Sequence, residues 1–175
     1  MKPIPSSLRK KAASIRLLLL DVDGVLTDGR IIVDDRGVET KHFHVRDGQG
    51  ISLLKRCGID VGFITGRSSN VVRHRAKELR VSLLFQGAQD KLRIYEQIKK
   101  KTRLADRQIA YIGDDIIDLP VLGRVGLAVV VADGSAELMR LADYVTAAKG
   151  GMGAVREVAE LLLKAQNRWA GLLPR

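Results

Sequence analysis

A single cysteine, Cys57, stands in a chain of 175 residues, so no disulfide can close within it. Prolines number four, and with hydrophobic content at 46% the composition is not that of a disordered chain. No apolar run reaches the roughly 20 residues a helix needs to span a bilayer, so no membrane partner is expected. Residues 1–16 are basic but contain no apolar core of the secretory kind. With the lone thiol, this points to the cytoplasm. Aromatics make up only 4%, and no stacking platform accompanies the net charge of +10. The cations are spread along the chain, apart from Lys99-Lys100-Lys101, which suits the solvated end of a helix. Nucleic acid is therefore not the expected partner, and an anionic small substrate or plain solubility accounts for the charge.

What the chain does have is an alternation. Short apolar runs at 16–20, 61–65, 81–85, 109–112 and 126–131 read as strands, with a shorter one at 143–146. Helical periodicity covers 48–57, 70–79, 91–101, 116–122, 135–141 and 154–166. Strands alternating with helices build right-handed βαβ units, so the fold class is α/β with a mainly parallel sheet, in one domain over 1–175. Ligands of such sheets sit beyond the C-terminal ends of the strands. Residues 29–45 break the rhythm. Two extended segments, 30–33 and 39–45, flank Asp34-Asp35-Arg36-Gly37, which predicts a β-hairpin inserted between the first strand and its helix. Residues 150–175 form the closing helix and tail.

Leu17-Leu18-Leu19-Leu20 runs directly into Asp21-Val22-Asp23-Gly24. If the extended geometry persists, the two carboxylates share a face. Such a pair repels unless a cation, a shared proton or a chemical task accounts for it. The later strand ends supply Thr65-Gly66-Arg67, then Lys91 at the start of a helix, then Gly113-Asp114-Asp115 with Asp118 beyond. Taken singly, these are a turn, a surface lysine and a helix N-cap. Taken together they gather on one sheet edge, and three acids within five residues are costly without positive charge nearby. A calcium loop fails at Val25 and Leu26. No Walker A sequence exists, and Gly48-x-Gly50 and Gly151-x-Gly153 lack the third glycine of a dinucleotide fingerprint. His42 and His44 have no third ligand suited to zinc, and Cys57 falls on an amphipathic helix as a core residue.

In order, Asp21-Val22-Asp23-Gly24, Thr65, Lys91 and Gly113-Asp114-Asp115-Ile116-Ile117-Asp118 resemble the four motifs of the haloacid dehalogenase superfamily of phosphohydrolases. The hairpin in place of an inserted cap domain resembles the capless subclass. Within it, residues 21–29, Val45-Arg46-Asp47-Gly48, Ile64-Thr65-Gly66-Arg67, residues 111–118 and the stretch from Gly150 to Glu157 are similar to the 3-deoxy-D-manno-octulosonate 8-phosphate (Kdo 8-phosphate) phosphatases. The resemblance implies a Rossmann-like domain and Mg²⁺-dependent hydrolysis of a phosphomonoester through an aspartyl-phosphate. Asp21 would be the nucleophile and Asp23 the general acid, then base. Thr65 would hydrogen-bond the phosphoryl oxygens and Lys91 would offset their charge. Mg²⁺ would be held by Asp21, the Asp23 carbonyl and Asp114, with Asp115 and Asp118 orienting Asp114 and Lys91. Substrate contacts implied are Asp23, His44, Val45, Arg46, Asp47, Gly48, Gly66, Arg67, Arg75 and Lys91. The resemblance further implies a homotetramer whose hairpins pack together, with a tail starting at Gly150–Gly153 that reaches a neighbouring active site.

Two positions depart from that pattern. His44 stands where Asn commonly precedes Val-Arg-Asp-Gly, and Ser52 stands where the family often has Arg. Phosphatases for nine-carbon 9-phosphates of the sialic type tend to carry an acid at the latter position. The alternatives to a Kdo 8-phosphate phosphatase are thus a phosphatase for another 2-keto-3-deoxy sugar acid phosphate and, outside enzymes, an inactive scaffold subunit.

Overall fold

The computed structural model describes residues 5–172 and begins with a helix, α1 (Ser6–Ala13), that the hydrophobic pattern does not announce. Only Leu8 and Ala12 of its eight residues are buried, too few to register as a periodic stripe. Strand β1 (Leu17–Leu20) follows, and then a hairpin of β2 (Ile32–Val33) and β3 (Glu39–Thr40). The remaining elements alternate: α2 (Val45–Arg56), β4 (Asp60–Ile64), α3 (Asn70–Glu78), β5 (Leu83–Phe85), α4 (Lys91–Thr102), β6 (Ile109–Gly113), α5 (Leu119–Leu122), β7 (Leu127–Val130), α6 (Ala136–Met139), β8 (Tyr144–Val145) and α7 (Ala154–Ala165).

Six strands form one sheet in the order β5-β4-β1-β6-β7-β8, every neighbouring pair parallel. This is the α/β fold that the alternation predicts. The four leucines of β1 are all fully buried, because the strand is central and covered on both faces. Leu18 and Leu20 face a layer containing α1, α2, α3 and α7, while Leu17 and Leu19 face the layer of α4, α5 and α6. The chain leaves β1 toward the first layer and leaves its neighbour β6 toward the second. Their C-terminal ends therefore part, which is the crevice where open α/β sheets bind ligands.

One local expectation changes. The second hairpin segment, expected over 39–45, is paired as a strand only at Glu39–Thr40; His44 caps α2, its Nδ1 accepting from the Arg46 N–H at 3.1 Å, so Val45 is already helical. Gly48 and Gly50 are packing glycines. A Cβ on Gly48 would lie 2.4 Å from an Arg75 nitrogen, and one on Gly50 would lie 3.0 Å from the backbone of Arg156 on α7. The Gly150–Gly153 segment leads directly into α7, and its Gly150 lies so close to Gly24 that a Cβ would meet the Gly24 carbonyl oxygen at 1.7 Å. Residues 173–175 of the expected tail lie outside the described residues. No helix among the described residues is long and apolar enough to cross a membrane.

Candidate active site

The strand geometry of β1 stops at Leu20, although the Asp21 N–H still reaches the Ile112 carbonyl at 3.0 Å. The chain then turns, with the N–H groups of Leu26 and Thr27 both directed to the Val22 carbonyl. Gly24 makes this turn possible: its φ is +90°, and any Cβ would strike the Asp114 carboxylate at 2.1 Å. Asp21 and Asp23 thus reach one cleft through a turn, not through the strand alternation that the sequence suggests. The Gly150-Gly151 segment buttresses the turn from outside, with the Gly151 N–H donating to the Val25 carbonyl at 2.9 Å.

The cleft is lined by Asp21, Asp23, Thr65, Gly66, Arg67, Lys91 and Ile117 and has a volume of about 140 Å³. Lys91, buried at the start of α4, lies 3.0 Å from Asp21 Oδ2 and 2.7 Å from Asp118 Oδ1. Burial alone would lower its pKa, but the charges of Asp21 and Asp118 outweigh that and hold it above the ordinary lysine value. Asp118 is fully buried and fully engaged. It also accepts from the Tyr111 hydroxyl at 2.6 Å and from the Asp114 N–H at 3.0 Å. It therefore holds both Lys91 and the Asp114 backbone in place. Asp115 does not reach Lys91; its carboxylate caps the turn that follows, accepting from the Ile116 N–H at 2.7 Å.

Oxygens of Asp21, Asp114 and Asp118 lie within 4.8 Å of one another. Burial raises the pKa of Asp21 to about 6 despite Lys91, and raises that of Asp114 to about 8, with the neighbouring acids adding to the effect. Asp114 Oδ1 is buried without a hydrogen-bond partner. A buried lone oxygen on Asp114 beside the Asp21 carboxylate, with a single ammonium shared between Asp21 and Asp118, is the donor set a hard divalent cation takes. The residues fit such an ion.

Thr65, at the end of β4, places its hydroxyl 3.5 Å from Asp23 Oδ2. Arg67 reaches across the cleft mouth to Glu39 on the hairpin, at 2.9 Å. Lys41 is the residue that sequence reasoning missed. Its side chain is only 1% exposed, and its ammonium binds Asp23 and lies 3.2 Å from Glu39 Oε1. No motif marks it; the only signal is a lysine within the hairpin's return segment, where surface positions are the rule.

His44, Val45, Arg46, Asp47, Gly48 and Arg75, expected at the substrate, do not line the cleft. Asp47 is committed elsewhere: its carboxylate accepts the N–H groups of Gly153 at 3.2 Å and Arg156 at 2.8 Å, capping α7 from α2. Arg75 pairs with Glu78 at 2.8 Å and stacks over the Phe43 ring. Val45 and Arg46 are exposed to solvent.

A fully parallel sheet with acids at its switch point, a buried lysine and a backbone turn tight enough to need Gly24 defines a haloacid dehalogenase-like hydrolase. The family model of that description matches residues 84–157. The 3-deoxy-D-manno-octulosonate 8-phosphate phosphatase KdsC of Yersinia pestis is 47% identical over 169 residues, spanning 97% of this chain and 90% of the relative. Its crystal structure covers 97% of this chain and 91% of its own, with a TM-score of 0.95. The enzyme of the same name from Moraxella catarrhalis, solved with magnesium, phosphate and KDO, is 45% identical with a TM-score of 0.94, covering 96% of this chain and 97% of its own. The chain belongs to the KdsC family of haloacid dehalogenase-like phosphatases.

Proposed function

We propose that this chain hydrolyses Kdo 8-phosphate to Kdo and phosphate, for lipopolysaccharide synthesis, in the cytoplasm. The observation that carries this reading is the meeting of Asp21, Asp23, Thr65 and Lys91 in one cleft beside Asp114, in a chain of KdsC-like sequence throughout. Mg²⁺ would be held by the Asp21 carboxylate, the Asp23 carbonyl and the Asp114 carboxylate, and when bound it supplies charge that reduces repulsion between nucleophile and phosphate. Asp21 attacks phosphorus and forms the aspartyl-phosphate, while Asp23 gives its proton to the leaving sugar oxygen. Asp23 then takes a proton from the water that cleaves that intermediate. Thr65 donates to the phosphoryl oxygens, and Lys91 balances their charge without becoming free, because Asp118 keeps it aimed.

A cleft of about 140 Å³ lies below the roughly 300–1,000 Å³ of pockets that enclose a small ligand. It takes the phosphoryl group and leaves much of the sugar uncovered. Ile31, Ile32, Val33 and Val38 of the hairpin are exposed apolar residues on an unpaired two-stranded ribbon. Both features support a homotetramer whose hairpins pack together and whose neighbouring subunits cover the sites. Light scattering on a gel-filtration peak is expected to give four chains; a monomer at micromolar concentration would sink this part of the reading.

Two measurements test the chemistry. Wild-type kcat/KM is expected to be higher for Kdo 8-phosphate than for nine-carbon 9-phosphates, with Arg67 fixing the sugar carboxylate; the opposite preference transfers the chain to the nine-carbon substrate. The pH dependence of stability tests the acid cluster. Asp21 and Asp114 bind their protons more tightly folded than unfolded, so without metal their contribution is greatest at low pH. It is lost as pH rises through about 6 and about 8. The metal-free melting temperature is expected to fall from pH 6 to pH 8.5, and the increase on adding Mg²⁺ to grow over the same interval, since protons compete with the ion. A Mg²⁺ shift independent of pH would contradict this.

A further inference from the structure

Lys41 and Lys91 are the only buried lysines among the described residues, and only Lys91 belongs to a motif. Lys41 extends from the hairpin, most of whose side chains are exposed, yet its own ammonium is buried between two carboxylates. Removing a lysine from water is expensive, and a buried ion pair is a poor way to gain stability. Its placement is specific. Lys41 binds Asp23 Oδ1, while Asp23 Oδ2 is left toward the cleft, 3.5 Å from Thr65 Oγ1. Glu39 holds Lys41 from its other side at 3.2 Å and is itself held by Arg67 at 2.9 Å. The two oxygens of Asp23 are thereby made unequal.

We propose that Lys41 is a positioning residue for proton transfer: by fixing Oδ1 it sets the rotamer of Asp23, so that Oδ2 is the atom that gives and takes the proton. This rests on the phosphatase reading above. In the first step the proton leaves Oδ2 for the ester oxygen as the P–O bond breaks and a carboxylate oxygen of Asp21 bonds to phosphorus. In the second, water bonds to phosphorus, the Asp21–phosphorus bond breaks, and the water's proton passes to Oδ2. The hairpin thus belongs to the catalytic apparatus of its own chain, whatever else it packs against.

Substrates of graded leaving-group basicity test the assignment, because proton donation matters most for a basic leaving oxygen. With Lys41→Met, kcat/KM is expected to fall by less than about 5-fold for p-nitrophenyl phosphate, more for phenyl phosphate, and on the order of 10²-fold for Kdo 8-phosphate. Lys41→Arg, which keeps the charge and the donors, is expected to recover about tenfold on the last substrate. An equal loss on all three esters overturns the proposal, as does no loss on any. A loss confined to Kdo 8-phosphate with no trend between the two aryl esters makes Lys41 a sugar contact and overturns it as well. Should Lys41→Met fail to fold, Lys41→Gln, a neutral donor of similar length, reads the same ratios. If the wild type with Mg²⁺ hydrolyses none of the esters, or Asp21→Asn hydrolyses them all, the phosphatase reading itself has failed, which is a separate result from any at Lys41.

Discussion

Asp21→Asn is expected to abolish phosphate release, by about 10⁴-fold or more, as removal of a nucleophile does. The change is nearly isosteric. The side chain has one oxygen occupied by the Val22 N–H at 2.7 Å and the other 3.0 Å from Lys91. The amide keeps the acceptor but supplies no anion to attack phosphorus. Lys91 still holds Asp118, so the rest of the cleft stays in place. Stability is expected to move the other way. Burial already holds the Asp21 carboxylate at a pKa of about 6, so its charge is a cost to the metal-free fold at neutral pH, and the neutral amide removes that cost. The pair of measurements is decisive: phosphate release with intact-mass detection of the phosphoenzyme, and the metal-free melting temperature at pH 8. Turnover above about 1% of wild type with a folded protein would assign the nucleophile elsewhere.

Asp118→Ala is expected to give the largest loss of stability at the site, about 3–5 kcal/mol, the range for deleting one partner of a buried ion pair. Asp118 receives Lys91, the Tyr111 hydroxyl and the Asp114 N–H, and all three donors are left without that acceptor. Because Gly113 packs against Asp118, with its Cβ position 2.6 Å from that side chain, the neighbourhood cannot simply close over the gap. For a chain of this size the melting temperature should fall by roughly 10 °C or more. Activity should fall too, since Lys91 is then held by Asp21 alone and the Asp114 loop is loosened. A melting temperature within about 2 °C of wild type would show that Lys91 and Asp21 suffice to hold the site. Asp118→Asn keeps the shape and one acceptor oxygen but turns an NH2 toward buried donors, so it is expected to recover only part of the stability and less of the activity.

The fold was legible because its signals are of the strong kind. A run such as Leu17–Leu20 reads as a strand buried on both faces, and the alternation of such runs with helical stretches admits few topologies. The acids were legible because like charges cannot be placed together without a reason. What stayed hidden has a common cause, contact between residues far apart in sequence. Lys41 becomes significant only when the hairpin folds back on Asp23, eighteen positions away. Asp47 looks like part of a ligand motif until α7, more than a hundred residues on, takes both its oxygens. The α1 helix was missed for the opposite reason: its two buried side chains give periodicity nothing to work on.

The contact between Gly150 and Gly24 bears on the order in which the enzyme comes into being. The turn carrying the nucleophile is made before the segment that presses on it through Gly150 and the Gly151 N–H, which follows more than a hundred residues later. A nascent chain that stops short of this segment already contains Asp21, Asp23, Thr65, Lys91 and Asp114, yet lacks the wall that holds their turn in shape. Competence therefore arrives with a pair of glycines that do no chemistry, and the active site is finished only when this late segment folds onto the first turn.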